Sequence, residues 1–127
     1  MLSWPLEDWL TDEGDRVVQL KASGKSLSDA DLLLYHVWLL DTESRNGGLS
    51  QYFCNRELAA WNACLACTSK ANLRSFRPFR AEVEALINTT EDPYEAIMEA
   101  GESADELWDK HSEAVVRELH EHLKHVS

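Results

Sequence analysis

The apolar residues of this chain recur with the spacing of amphipathic α-helices, and no segment alternates between apolar and polar positions as a β-strand does. Residues 32–40 differ, because apolar side chains occur on every side of that helix, which is typical of a helix surrounded by others. We therefore predict an all-α fold, a single compact domain over residues 1–127, with about six helices around a buried central helix at 32–40. The predicted helices lie within 4–22, through 32–40, and at 57–70, 75–88, 93–100 and from 103 onward.

Several residues have the character of helix ends. Ser26 or Ser28 is expected to cap the second helix, and Asp92 a short later helix that Gly101 terminates. The sequence Ser103-Ala104-Asp105-Glu106 has the form of a capping box, which predicts the start of the last helix.

A corner is predicted directly after the central helix. Asn46-Gly47-Gly48 brings two adjacent glycines between helical segments, and Asn and Gly tolerate the positive φ that ends a helix. We expect positive φ at Gly47, so that Gly47→Val would destabilise the fold. Asn55 is the expected N-cap of the next helix. Rings and amide side chains of this stretch are expected to brace the corner.

The spacing E-x-x-N-G-G-x-x-Q-Y-F-x-N resembles the signature of a bacterial family of DNA-mimic proteins, which are small all-helical domains. The resemblance is close over 13 residues and looser from about residue 27 to residue 125. It implies a non-enzymatic domain with a protein partner. It also implies a dimer, as in at least one member of the family, which presents carboxylates in place of DNA phosphates to a DNA-binding protein. The matching residues, interpreted as a structural motif, are Glu43, Asn46, Gly47, Gly48, Gln51, Tyr52, Phe53 and Asn55.

Charge narrows the range of partners. The formal net charge is −11, which disfavours direct binding to nucleic acid or to anionic membrane and favours basic surfaces. The apolar run at 32–40 is too short to span a bilayer. The first residues contain no basic segment of the kind that begins a secretory signal, and three cysteines do not form a disulfide framework. These features predict a cytoplasmic protein.

The acidic groups concentrate in residues 81–127, and many repeat at helical spacing. Such rows could replace the phosphates that a basic DNA-binding protein contacts, or they could simply be a solvated helix face. Residues 43–80 have a net charge of +4, with Arg74, Arg77 and Arg80 close together. A mimic requires this basic cluster to be turned away, or buried in a homodimer. The predicted partner-binding carboxylates are Asp92, Glu95, Glu99, Glu102, Asp105, Glu106, Asp109 and Glu113.

No catalytic, cofactor or metal site is predicted. Cys64 and Cys67 form a C-x-x-C late in a helix, where small buried thiols are the favoured interpretation. His122 and His125 are one turn apart and could hold a metal weakly, although solvated histidines are favoured. The alternative function is an enzyme or a metal-binding domain, with a site at the corner 46–55 together with His36.

Overall fold

The computed structural model describes residues 2–88 and 91–126, and within them no residue belongs to a strand. The predicted all-α fold is confirmed. The predicted domain bounds include residues 1, 89, 90 and 127, which lie outside the described part. The helices are α1 (Trp4–Ala22), α2 (Asp29–Lys70), α3 (Phe76–Ile87), α4 (Pro93–Ala100) and α5 (Glu102–Lys124).

Helix α2 is folded back on itself. A straight helix of its 42 residues would be about 63 Å long. Its two ends nevertheless meet, because Lys70 Nζ lies 2.6 Å from Asp29 Oδ2. The reversal is at Gly48, whose φ of 79° leaves the helical region. The element is therefore a hairpin of two antiparallel arms, arm 1 (29–47) and arm 2 (49–70), and the described chain has six helical segments in all.

Arm 1 is the predicted central helix. Leu34, Val37 and Leu40 are each no more than 1% exposed. Leu33 and Leu39 are buried as well, so the apolar run at 32–40 is covered on several sides. A second part of the core consists of rings from arm 2, α3 and α5: the centroid of Phe79 lies 6.0 Å from that of Trp61 and 5.2 Å from that of Trp108.

Three predicted helix boundaries were wrong, each for a local reason. Positive φ falls on Gly48 and not on Gly47. The helix resumes at once after Gly48, so Asn55 lies inside arm 2 and is not an N-cap. Gly101, with φ of 60°, ends α4 and caps α5 in a single residue, so α5 begins at Glu102 and the Ser103 capping box does not form.

Other predicted caps are present. The Ser28 hydroxyl accepts a hydrogen bond from the Asp31 N–H at 3.1 Å. The Asp92 carboxylate accepts one from the Glu95 N–H at 3.3 Å. Both satisfy backbone donors that the first turn of a helix leaves free.

Candidate protein-interaction surface

The polar residues of the corner motif converge on one carboxylate. Glu43, on arm 1, is 8% exposed and accepts hydrogen bonds from Asn55 Nδ2 at 2.8 Å and from Gln51 Nε2 at 3.3 Å. Arg56 forms an ion pair with the same carboxylate at 3.4 Å. All three partners are on arm 2, so Glu43 ties the two arms together near the reversal. Tyr52 and Phe53, which lie between Gln51 and Asn55 in sequence, are buried in the core.

Helix α5 closes the corner from outside. A Cβ placed on Gly48 would lie 2.4 Å from Asp105 Oδ1, so this carboxylate rests directly on the glycine. It also accepts a long hydrogen bond, 3.4 Å, from the N–H of Ser50 in the first turn of arm 2. An acidic group at a helix N-terminus is electrostatically favourable. The sequence predicted Asp105 as part of an acidic row, whereas in the structure its side chain contacts Gly48 and Ser50 at the corner.

A second predicted partner-binding carboxylate is also engaged within the chain. Glu113 accepts a hydrogen bond from the Ser3 N–H at 2.7 Å and forms an ion pair with Arg117 at 2.6 Å. The bond from the Ser3 backbone is the main reason that the pKa of Glu113 is lowered from its ordinary value of 4.5. This contact joins the start of α1 to α5. A role of Asp105 and Glu113 in partner binding stays a prediction.

The remaining predicted carboxylates form an exposed acidic end of the molecule. Glu95 and Glu99 are one turn apart on α4, and Glu102 and Glu106 are one turn apart on the beginning of α5; all four are exposed. Residues 81–109 contain ten Asp and Glu and no Lys, Arg or His. We call the exposed set of Glu95, Glu99, Glu102 and Glu106 the acidic end. Asp92 and Asp109 are exposed as well.

The basic cluster lies at the other end. The backbone N–H groups of Arg74 and Ser75 donate to the Glu118 carboxylate at 3.0 and 2.8 Å, near the end of α5. The same end holds the contact between Asp29 and Lys70. Glu118 follows Glu102 by 16 residues, which is about 24 Å along a helix. Exposed charges this far apart are largely screened at physiological salt, where the Debye length is about 8 Å.

The thiols differ in burial, and Cys67 lines a cleft that His122 also lines. Cys64 is fully buried, and burial raises the pKa of its thiol, while Cys67 is part-buried and Cys54 is exposed. His36 precedes Gly47 by eleven residues, about 16 Å of arm 1, and burial lowers its pKa. Across residues 2–88 and 91–126, no three His, Cys, Asp or Glu side chains are grouped so that they could hold a metal ion. In the same part of the chain, no helix combines the length and apolarity needed to cross a membrane.

Sequence reasoning missed two surface features. Asp8, Asp12 and Asp15 form an exposed acidic row on α1, which their i, i+4, i+7 spacing could have revealed. Leu58 and Met98 are 43% and 52% exposed, and they lie on neighbouring elements. Spacing gave no warning for Leu58, because it lies three residues before the buried Trp61 and so on the same side of arm 2.

The chain matches a known protein family. Residues 25–125, which contain α2 to α5, match the family model described as DMP19-like protein. No curated protein and no solved structure matches the chain.

Proposed function

Because the chain belongs to the family of DMP19-like proteins, we propose that it is a non-enzymatic interaction module, a DNA mimic whose acidic end occupies the basic face of a DNA-binding protein. The observation that carries this proposal is the exposure of Glu95, Glu99, Glu102 and Glu106 within a stretch that has no basic residue. Side chains one helical turn apart have β-carbons about 5–6 Å apart, which is comparable to the spacing of phosphates along a DNA strand.

The distribution of charge supports the same proposal. A protein that binds DNA has a positive surface, which attracts a partner whose negative potential is not cancelled nearby. The nearest Arg or Lys in sequence to the acidic end, Lys110, pairs with Glu82 on α3 at 2.9 Å. The cluster that begins at Arg74 lies at the opposite end of α5. A basic partner that approaches the acidic end therefore contacts carboxylates and not the basic cluster. Homodimer formation stays a prediction, which light scattering of the purified protein would test.

The test begins with capture of a partner and continues as a competition. Immobilised protein is exposed to a cell lysate at low and at high salt, and a basic DNA-binding protein should be retained at low salt only. That partner is then titrated with labelled DNA in the presence of the wild-type chain. DNA and the chain should compete, and the affinity of the chain should fall with salt. The slope should be shallower than the value of about −0.9 per phosphate for DNA, because a folded protein has no condensed counterions.

Two matched triple variants show which carboxylates act. Changing Glu99, Glu102 and Glu106 to Gln should weaken competition several-fold and leave the helical circular-dichroism signal unchanged. Changing Asp8, Asp12 and Asp15 on α1 to Asn removes the same number of charges from another surface and should have little effect. Equal competition by the wild type and the first variant would eliminate the acidic end from the mechanism. An equal loss in both variants would indicate net charge alone.

A further inference from the structure

Three large apolar side chains are exposed together where arm 2 meets α4. Leu58 is 43% exposed, Tyr94 38% and Met98 52%. Leu58 and Tyr94 line a common cleft of about 290 Å³, together with Phe53, Cys54, Asp92 and Pro93. Met98 follows Tyr94 by one turn and so lies on the same side of α4. We call Leu58, Tyr94 and Met98 the apolar patch.

The size of the cleft and its surroundings indicate what it can accept. A volume of about 290 Å³ is at the lower limit of small-molecule pockets and suits one inserted side chain. Asp92 is part of the lining, and Glu95 and Glu99 are exposed on the same short helix. An apolar centre with a charged rim is the usual anatomy of a protein–protein interface. The rim here is acidic, so the complementary surface is basic.

We propose that the apolar patch binds a basic helix of another protein, which inserts one apolar side chain into the cleft while its Lys or Arg side chains pair with Glu95 and Glu99. This inference rests on the proposed function and adds to it a component of binding that salt does not screen. A helix has the required shape, since its side chains at i and i+4 reach two adjacent sites. The same patch of a second copy is a poorer match, because its exposed Glu95 and Glu99 would meet the same acidic rim.

Two synthetic peptides test the proposal directly. Both are basic, helical, fluorescein-labelled and of equal net charge; one has Leu at i and i+4 within its basic face, and the other has Ser at both positions. Fluorescence anisotropy gives their affinities for the full chain at low and high salt. The Leu peptide should bind about ten-fold more tightly, which is the order expected for burying one such side chain. That ratio should persist at high salt, while both affinities fall.

Variants assign the difference to the patch. Leu58→Ser combined with Met98→Gln should reduce the affinity for the Leu peptide to that for the Ser peptide and leave the Ser peptide unaffected. Val126→Ser is the matched control, because Val126 is 48% exposed but lines a cleft with Ser28 and Lys70 at the opposite end of the hairpin. As an independent readout, the Leu peptide should slow alkylation of the exposed Cys54 by N-ethylmaleimide more than the Ser peptide does.

Several outcomes would overturn the inference. They are equal affinities of the two peptides, an affinity difference that survives the double variant, a failure of both peptides to bind, or self-association of the chain that Leu58→Ser abolishes. The proposed function is judged separately by the carboxylate triple variant. If that variant weakens DNA competition while both peptides bind alike, the acidic end functions without an apolar anchor.

Discussion

Replacement of Gly48 by Ala should lower the free energy of unfolding more than the same change at Gly47 does. Gly48 has φ of 79°, and a left-handed conformation costs a non-glycine residue about 1–2 kcal/mol. The new Cβ would also lie 2.4 Å from Asp105 Oδ1, so this carboxylate must move away from the Ser50 N–H. A lost hydrogen bond adds about 0.5–1.5 kcal/mol. The reduced freedom of the unfolded chain offsets about 0.4–1 kcal/mol, which leaves a net loss of roughly 0.5–3 kcal/mol.

The neighbouring glycine is the control, because only its local geometry differs. Gly47 does not have positive φ, and a Cβ there would meet Gln51 Oε1 at 2.1 Å, the end of a flexible side chain. Gln51 can rotate, at the expense of its 3.3 Å bond to Glu43. The gain in helix propensity from Gly to Ala is up to about 1 kcal/mol and compensates for this loss. The free energy of unfolding of Gly47→Ala should therefore lie within about 1 kcal/mol of the wild-type value.

Urea denaturation measures the free energy of unfolding of the two variants. The transitions seen by circular dichroism and by tryptophan fluorescence should coincide, as they do for two-state unfolding. For a chain of this size, 1 kcal/mol corresponds to a shift in Tm of about 3–5 °C. In an Asp105→Ala background the steric part should disappear, so that Gly48→Ala costs only its backbone share of about 1–2 kcal/mol, less the same offset of about 0.4–1 kcal/mol. A larger loss from Gly47→Ala than from Gly48→Ala would refute the assignment of the reversal to Gly48.

Two further predictions concern contacts that join the helices. Asp41 is fully buried and accepts a hydrogen bond from Trp108 Nε1 at 2.9 Å. Asp41→Ala should therefore lower the free energy of unfolding, measured by urea denaturation, by about 2–4 kcal/mol. Asp41→Asn keeps an acceptor and should lower it less. The pKa of Glu113 is lowered in the folded state, so its contribution to stability is present above the ordinary value of 4.5 and is lost as pH falls through the folded value. Glu113→Gln should therefore flatten the acidic limb of a stability–pH profile, and an unchanged limb would show that the bond from Ser3 contributes nothing.

Local pattern predicted the helices and the corner because both depend on neighbouring residues. The apolar run at 32–40 requires a surrounded helix, and two adjacent glycines permit a reversal. The assignment to Gly48 rather than Gly47 could not be made from sequence, since both have the same intrinsic freedom. What separates them is the packing of Asp105, which is 57 residues away in sequence. Asn55 was assigned to a cap because a pause before the next helix was expected, whereas arm 2 starts immediately.

The acidic surface was predictable in composition but not in detail. Spacing on α5 places Glu102, Glu106 and Glu113 on one side of the helix, and it gives no indication of which carboxylate another element approaches. The contact of Ser3 with Glu113 spans 110 residues. Such long-range contacts follow from how α1 packs on α5, which local periodicity does not determine. The apolar patch was missed for the same reason, since Leu58 and Tyr94 come together only through the contact of arm 2 with α4.

The position of Asp105 changes how any test of mimicry has to be made. Its carboxylate belongs to the predicted row of phosphate substitutes, yet it also rests on Gly48 and accepts the Ser50 N–H. A variant such as Asp105→Asn therefore alters the reversal and the surface charge together, and weaker binding would not identify which of the two mattered. Glu99, Glu102 and Glu106 are exposed and lie outside that contact, so their neutralisation changes the potential while the hairpin keeps its brace. Loss of DNA competition in that variant, at an unchanged free energy of unfolding, would assign the effect to surface charge.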